Sequence, residues 1–265
     1  MSDVIKLSSK ATKEFWEIPV VYEDEHLLGI NKPALLLTSP DRYDPERPNL
    51  MKLLHHDIER GAPWAKTRNL NYLSNAHRLD FETSGVILLA KNKPALVALA
   101  NLFGSEKPVK TYVALVQGTP AQDAFTIDAK LMQNPMKVGQ MKVDQKNGKR
   151  STTEFIVREK FRGISLLECK PLTGRTHQIR IHLKYAKHPI VGDVVYGGGP
   201  LLLSDLKSEY RLKGHKVERP LIATTALHAE KLELIHPITN VPISMSAEWP
   251  RDLNVAVKYL RRYAA

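Results

Sequence analysis

Short apolar runs separated by polar, Pro- and Gly-containing segments set the rhythm of this chain. "VVYEDEHLLGINKPALLL" holds two such runs around an acidic turn, "EDE". It predicts two strands, the second ended by Asn31–Lys32–Pro33, where Pro33 biases Lys32 toward extended backbone. Residues 39–49, "SPDRYDPERPN", carry three prolines and predict a loop. "LMKLLHHDIER" is apolar at 50, 51, 53, 54 and 58, a helical spacing. A polar stretch over 60–74 follows, and then "GVILLAKN" reads as a buried strand. "KPALVALANLFGS" predicts an amphipathic helix with Pro94 at its start and Leu96, Leu99, Ala100 and Phe103 on one face. "VKTYVALVQG" alternates, with Tyr112, Ala114 and Val116 opposite Val113 and Leu115, and predicts a half-buried strand.

The second half continues in the same way. Residues 133–150 are polar, rich in Lys, Gln and Gly, and end in the basic "QKNGKR". "STTEFIVREKFRGISLLECKPL" predicts a hairpin turning near Arg162–Gly163. "TGRTHQIRIHLKYAKH" reads as a helix after a Gly turn, "PIVGDVVYGGGP" as irregular, and 204–220 as a basic insertion. "ALHAEKLELIHP" and "PISMSAEWP" predict closing strands, while residues 1–17 read as a polar tail or short covering segment. There is no internal repeat. Many strands and few helices, largely sequential, argue an α+β fold with a mixed, mostly antiparallel central sheet flanked by helices and loops.

Composition adds a partner class. The 265 residues are 43% hydrophobic, enough for one large core or two smaller ones. Lys+Arg number 39 against 28 Asp+Glu, a net charge of +11, which draws polyanions and fits a nucleic-acid partner. The single cysteine, Cys169, cannot close an internal disulfide, and its strand-like neighbours read as a buried, inert thiol. The N-terminus lacks the apolar stretch of a signal peptide. No window reaches the roughly 18 apolar residues of a membrane span. The expectation is a cytoplasmic protein with no membrane partner.

Two clusters could carry chemistry. "NAHRLDFETSG" packs His77, Arg78, Asp80 and Glu82 into six positions ahead of the apolar "VILLA". A loop Asp before a strand is ordinarily a turn residue, but the adjacent Arg and His and the "TSG" behind them suit an active site. The second cluster is "GRTHQIRIHLKYAKH", with Arg175, His177, Arg180, His182, Lys184, Lys187 and His188. His177 and His182 are five apart and His182 and His188 six apart. Neither spacing is the i, i+4 of a zinc helix, so no metal is expected. His177, Arg180 and Lys184 share a helical face, which is either solvated or binds phosphate. "YGGGP" matches no nucleotide-binding loop, no G-x-S-x-G elbow is present, and a second catalytic carboxylate is missing.

Taken together these segments resemble a pseudouridine synthase of the RluA type, over roughly residues 19–250. "HRLDFETSG" matches the signature H-R-L-D-x-x-T-S-G, and "KTYVALVQG" matches K-x-Y-x-A-x-V-x-G. "PLTGRTHQIRIHL" matches G-R-x-H-Q-[IL]-R, and the N-K-P segment, "HPIVGDVVYG" and "LHAEKLELIHP" fall in the family's order.

The resemblance implies an isomerase that converts uridine in tRNA or rRNA to pseudouridine without a cofactor, working as a monomer. Asp80 would be the catalytic carboxylate, either attacking C1′ or taking the 2′ hydrogen to give a glycal. Arg180 would pair with Asp80 and keep it ionised. Tyr112 would stack on the target base and take part in proton removal at C5. Arg78 would fill the gap left by the flipped uridine. Ile179 would pack against the base and Lys110 would support the site, with His77, Arg175 and His177 among the substrate-binding groups. The catalytic domain would span 18–265, behind an N-terminal extension over 1–17. Many relatives carry an N-terminal S4-like RNA-binding domain. About twenty residues precede "VVYEDE", too few for one, so substrate choice would rest on the 41–49 loop, the 133–150 segment and the 204–220 insertion. The alternative is a non-catalytic RNA-binding or assembly factor on the same fold.

Overall fold

Buried side chains alternate over residues 4–9 and recur every third or fourth position over 50–59 and 251–263, whereas residues 84–90 and 178–183 are buried throughout. The computed structural model describes residues 3–9, 11–41, 44, 46–211 and 217–265. Parts of the 39–49 loop and of the 204–220 insertion therefore lie outside the described residues. In chain order the first elements are β1 (Val4–Ser9), β2 (Glu14–Glu23), β3 (Leu27–Lys32), α1 (Leu50–Glu59), α2 (Pro63–Thr67), β4 (Ser74–Asn75), β5 (Ser84–Ala90) and α3 (Lys93–Gly104). Then come β6 (Val109–Gln117), β7 (Ala124–Asp128), β8 (Leu131–Gln133), β9 (Met141–Val143), β10 (Thr152–Phe161), β11 (Ile164–Pro171) and α4 (Gln178–Tyr185). A 3₁₀ turn (Val194–Tyr196), α5 (Leu203–Leu206), β12 (Leu227–Ile235), β13 (Pro242–Ser246) and α6 (Arg251–Tyr263) complete the chain.

The residues divide into two compact units. The first comprises 1–109 and 229–248, the second 110–228 and 249–265. In the first unit the strands lie in the order β1-β2-β3-β5-β12, with β4 beside β5 and β13 beside β12. β3 and β5 pair antiparallel from Leu27↔Ala90 to Lys32↔Gly85. One core gathers Ile5, Leu7, Ile18, Ile30, Leu54 and Ile87 under α1. Another packs Ala95 and Leu99 of α3 with Leu27 and Leu88. The starts of α1 and α3 are set by asparagine side chains. Asn49 Oδ1 accepts the Lys52 N–H at 2.9 Å and Asn92 Oδ1 accepts the Ala95 N–H at 2.9 Å.

In the second unit the order is β6-β11-β10-β7, all antiparallel, and β8 and β9 form a separate hairpin. Its core holds Val113, Leu115, Leu167, Cys169, Leu183 and the inner stripe of α6, Leu253, Ala256, Val257 and Leu260. Burial raises the Cys169 thiol's pKa, so at neutral pH it is a small apolar side chain and not a nucleophile. The observed strands and helices make this an α+β fold, with antiparallel strand registers and one isolated parallel bridge, Leu37 with Asn49.

Several expectations need correction. Of the two readings of residues 1–17, a polar tail or a short covering segment, the tail gives way: residues 4–9 form β1, paired along β2, which itself begins at Glu14, with Ile5 and Leu7 buried. β6 is not half-buried: Val113 to Val116 are inaccessible on both faces. On α3 the inner face includes Ala95 rather than Ala100, which is exposed. The helix drawn from "TGRTHQIRIHLKYAKH" begins only at Gln178, because His177 sits at φ 53°, in the left-handed region. α6 was not foreseen.

Gly85 opens β5 at φ +118°, and a Cβ there would lie 2.2 Å from the Ala229 carbonyl oxygen. Only glycine allows so close an approach of two backbones. Gly85→Ala is expected to cost at least about 3 kcal/mol, read as a fall in the urea midpoint. An unchanged midpoint would contradict this packing.

Candidate active site

In the first unit the strand that leads into the site ends in Lys32. Its side chain is fully buried, and Nζ donates to the carbonyls of Pro33 (2.8 Å) and Leu36 (2.7 Å). These two bonds fix the turn after β3. The turn in turn holds the "HRLD" loop. Thr38 Oγ1 donates to the Leu79 carbonyl at 3.0 Å and accepts the Leu79 N–H at 3.2 Å. The Leu35 N–H reaches the Phe81 carbonyl at 2.8 Å. Leu79 is buried, so the chain on either side of it must turn outward. Arg78 is exposed and Asp80 is partly exposed. The Thr83 N–H closes the turn onto the Asp80 carbonyl at 3.2 Å.

His77 behaves differently from its neighbours. Its Nε2 accepts the Leu88 N–H at 3.0 Å, and its ring stacks on Phe103 with centroids 4.2 Å apart. It ties the loop to β5 and α3. The sequence grouped it with substrate-binding residues, and these contacts give it an anchoring task.

Burial pushes the Lys32 ammonium down to about 7, against the opposing pull of the Asp80 carboxylate. The folded chain holds this proton less tightly than the unfolded chain, whose value lies near 10.5. Between these values the unfolded state binds more protons, so stability climbs as pH rises. Below about 7 the full burial cost is present. Lys32→Met removes this contribution and should flatten the climb between pH 7 and 10 by a few kcal/mol, roughly. Urea denaturation at a series of pH values measures it, and an equal slope in both proteins would contradict it.

In the second unit Gln178 staples the "TGRTHQ" loop. Its Oε1 accepts from Thr173 Oγ1 (2.7 Å) and the Arg175 N–H (3.0 Å), and its Nε2 donates to the Thr152 carbonyl (2.9 Å). Lys110 Nζ donates to the Thr173 carbonyl at 3.2 Å, and Arg175 Nε to the Arg150 carbonyl at 3.1 Å. Tyr112, on β6 opposite Cys169, packs against the core cluster that also contains Ile179.

Arg180 is 4% exposed and grips the fully buried Asp193 with two parallel bonds, Nε to Oδ2 at 2.7 Å and Nη2 to Oδ1 at 2.8 Å. Asp193 Oδ1 also accepts the Tyr196 N–H at 3.2 Å. Tyr196 is the hub of this corner. Its hydroxyl accepts the Met141 N–H of β9 at 2.9 Å and meets His177 Nδ1 at 2.7 Å. Arg180 and Lys184 lie over its ring at 5.1 and 5.8 Å. The three basic residues expected to share a face all meet the buried Tyr196, Arg180 being buried, His177 half-buried and Lys184 exposed. His182 is spent on Thr153 Oγ1 and the Ala129 carbonyl, and His188 on the Gln117 carbonyl.

The sequence missed Lys32, Asp193 and Tyr196. The signals were faint: a lysine ending a buried strand, and an Asp and a Tyr in the irregular "GDVVYG".

The loop carrying Asp80 offers a partly exposed carboxyl group two residues from an exposed guanidinium, side chains suited to acid–base or nucleophilic work on an anionic polymer. Comparison with known proteins gives this arrangement its family. The model of the RNA pseudouridylate synthase family matches residues 26–185. The ribosomal large subunit pseudouridine synthase D of Xylella fastidiosa is 36% identical over 251 residues, covering 94% of this chain and 71% of the relative. The protein of that name from Escherichia coli K12 is 31% identical over 258 residues, covering 97% and 75%. Among solved structures, human RNA pseudouridylate synthase domain containing 4 superposes with a TM-score of 0.67 at 24% identity, covering 91% of this chain and 92% of that one. Human RNA pseudouridylate synthase domain containing 1 gives 0.65 at 24%, covering 90% and 87%. With its "HRLDFETSG" loop inside the matched segment, the chain belongs to the RNA pseudouridylate synthase family, isomerases that turn uridine in RNA into pseudouridine.

Proposed function

We propose that this enzyme modifies uridine in large-subunit ribosomal RNA, with Asp80 as the catalytic carboxylate. The observation that carries the assignment is the Asp80 loop itself. It is clamped at Leu79 by Thr38, from the turn that Lys32 fixes at Pro33 and Leu36, while Arg78 is exposed and Asp80 partly exposed. The relatives named for the large ribosomal subunit support the RNA class. The reaction breaks the N1–C1′ bond, turns the uracil and joins C5 to C1′, so the C5 hydrogen leaves as a proton and no electrons are gained or lost. A stacked base must first leave the RNA helix, at a cost of a few kcal/mol. Arg78 fills the vacated space. Asp80 acts on the sugar, by attack at C1′ or removal of the 2′ hydrogen. Tyr112 and Arg180 act on the same nucleotide, Tyr112 stacking the base and Arg180 supporting the carboxylate's charge. Lys110, Arg175, His177 and Ile179 shape the surrounding surface, and His77 secures the loop.

Residues 18–265 are the catalytic portion in this reading, acting as a monomer in the cytoplasm. No helix among the described residues is long and apolar enough to cross a membrane. The test is a map of pseudouridine across ribosomal and transfer RNA from cells with and without the gene. The expected result is loss of one or a few sites in large-subunit rRNA, restored by the intact gene. Losses confined to tRNA would overturn the ribosomal assignment.

A further inference from the structure

We propose that Phe81, Arg47 and Leu35 form a stacking subsite for an unpaired nucleobase next to the target uridine. The inference rests on the reading of Asp80 as the catalytic carboxylate. Phe81 directly follows Asp80 and occupies a position that the H-R-L-D-x-x-T-S-G pattern leaves open. An aromatic side chain at the mouth of a buried strand would ordinarily join the core. Phe81 stays partly exposed in a turn, and the group over its ring is the Arg47 guanidinium, 4.0 Å from the centroid. A planar cation on an aromatic face, beside a polyanion's reaction centre, is the surface on which RNA bases stack.

Leu35 adds an independent observation. It sits at φ 61°, where a leucine is strained by about 1–2 kcal/mol, yet it is 47% exposed and gains little from packing. Its backbone is held there. The Leu35 N–H is bonded to the Phe81 carbonyl, and Lys32 grips the carbonyls of Pro33 and Leu36 on either side. The fold thus spends stability to hold an exposed apolar residue in a segment whose backbone is bonded to that of Phe81. Strain kept beside a catalytic loop points to function rather than packing. The occupant must be flat, apolar on its faces and attached to phosphate. When the target uridine flips out, its neighbour loses a stacking partner, and an aromatic platform returns part of that loss. The alternative is a purely internal brace, with Arg47 and Phe81 pinning one loop to another.

The experiment uses the full chain and a fluorescently labelled single-stranded uridine decamer carrying one 2-aminopurine, whose emission is quenched on stacking. Affinity is measured over a range of salt, with thermal unfolding of each variant alongside. Phe81→Ala should weaken binding by about tenfold and abolish the quenching, with the salt slope unchanged because no phosphate contact is lost. Phe81→Trp should restore both. Leu35→Gly relieves the strain, so it should unfold at an equal or higher temperature while binding several-fold more weakly, by about three- to fivefold. The proposal is overturned if Phe81→Ala binds within about twofold of the parent with quenching intact. It is equally overturned if Leu35→Gly gains stability and loses no affinity. Failure of the Asp80 reading would look different: Asp80→Asn would still form pseudouridine, while the losses at Phe81 and Leu35 would stand.

Discussion

Asp80→Asn should abolish pseudouridine formation, by at least about ten-thousand-fold, while the protein stays folded and binds RNA as before. Asparagine keeps the size and removes the charge, so it can neither attack C1′ nor accept the 2′ proton. The loop should survive the change, because Thr38 and Thr83 hold it through backbone atoms. Thr38 holds Leu79 through its N–H and carbonyl, and the Thr83 N–H meets the Asp80 carbonyl. Arg78 remains exposed. The variant also removes the charge that favours protonation of Lys32, so that lysine should lose its proton at a lower pH still. Turnover is read as tritium released from RNA labelled at uridine C5, since that hydrogen must leave when C5 bonds to C1′. Binding is read by gel shift. Turnover within about tenfold of the parent would remove Asp80 from the chemistry. Abolished turnover with retained binding would also set aside the alternative of an RNA-binding factor with no chemistry.

The second large effect is on stability. Asp193→Ala should destabilise the second unit by about 3–5 kcal/mol, because it deprives a nearly buried guanidinium of a bidentate partner. Arg180 and Asp193 are 4% and 0% exposed, so water cannot replace the lost carboxylate. The same carboxylate receives the Tyr196 N–H, and the turn that carries Tyr196 would loosen with it. Melting should fall by about 10 °C for a chain of this size. Asp193→Glu retains the charge but displaces it by one methylene, and should lose less. Melting curves for both variants test this. A fall of less than about 1 kcal/mol for the alanine variant would show that the pair contributes little.

The elements legible in the sequence were those whose pattern was local and uninterrupted. β2, β3, β5, α1 and α3 are bounded by turn residues and carry long apolar runs or capping asparagines. β1 was unreadable because only Ile5 and Leu7 mark its inner face within a polar stretch. α6 hid its stripe of Leu253, Ala256, Val257 and Leu260 among arginines and a lysine on the outer face. The early start drawn for α4 failed at His177, whose left-handed backbone is set by its bond to Tyr196 and by the Gln178 staple, not by its own preference.

The site divided in the same way. Arg78 and Asp80 are conspicuous as charges against an apolar run. Asp193 and Lys32 matter through partners 13 residues away in one case and through burial in the other. Neither is visible to a pattern that counts neighbours along the chain.

The two units are each built from separated stretches, and this orders events during synthesis. β5 lies between β3 and β12, and Gly85 at its start meets the backbone of Ala229. The ribosome must therefore add more than a hundred residues after the Asp80 loop before the strand that flanks it exists. At roughly 5–20 residues per second that delay is on the order of ten seconds. Until then the first unit exposes one long side of a fully apolar strand, a surface that invites mispairing. The nascent chain can hold a complete "HRLD" loop and still have no finished floor beneath it. Catalytic competence should therefore appear only near the end of translation, and truncations before residue 248 should yield neither a stable first unit nor an active enzyme.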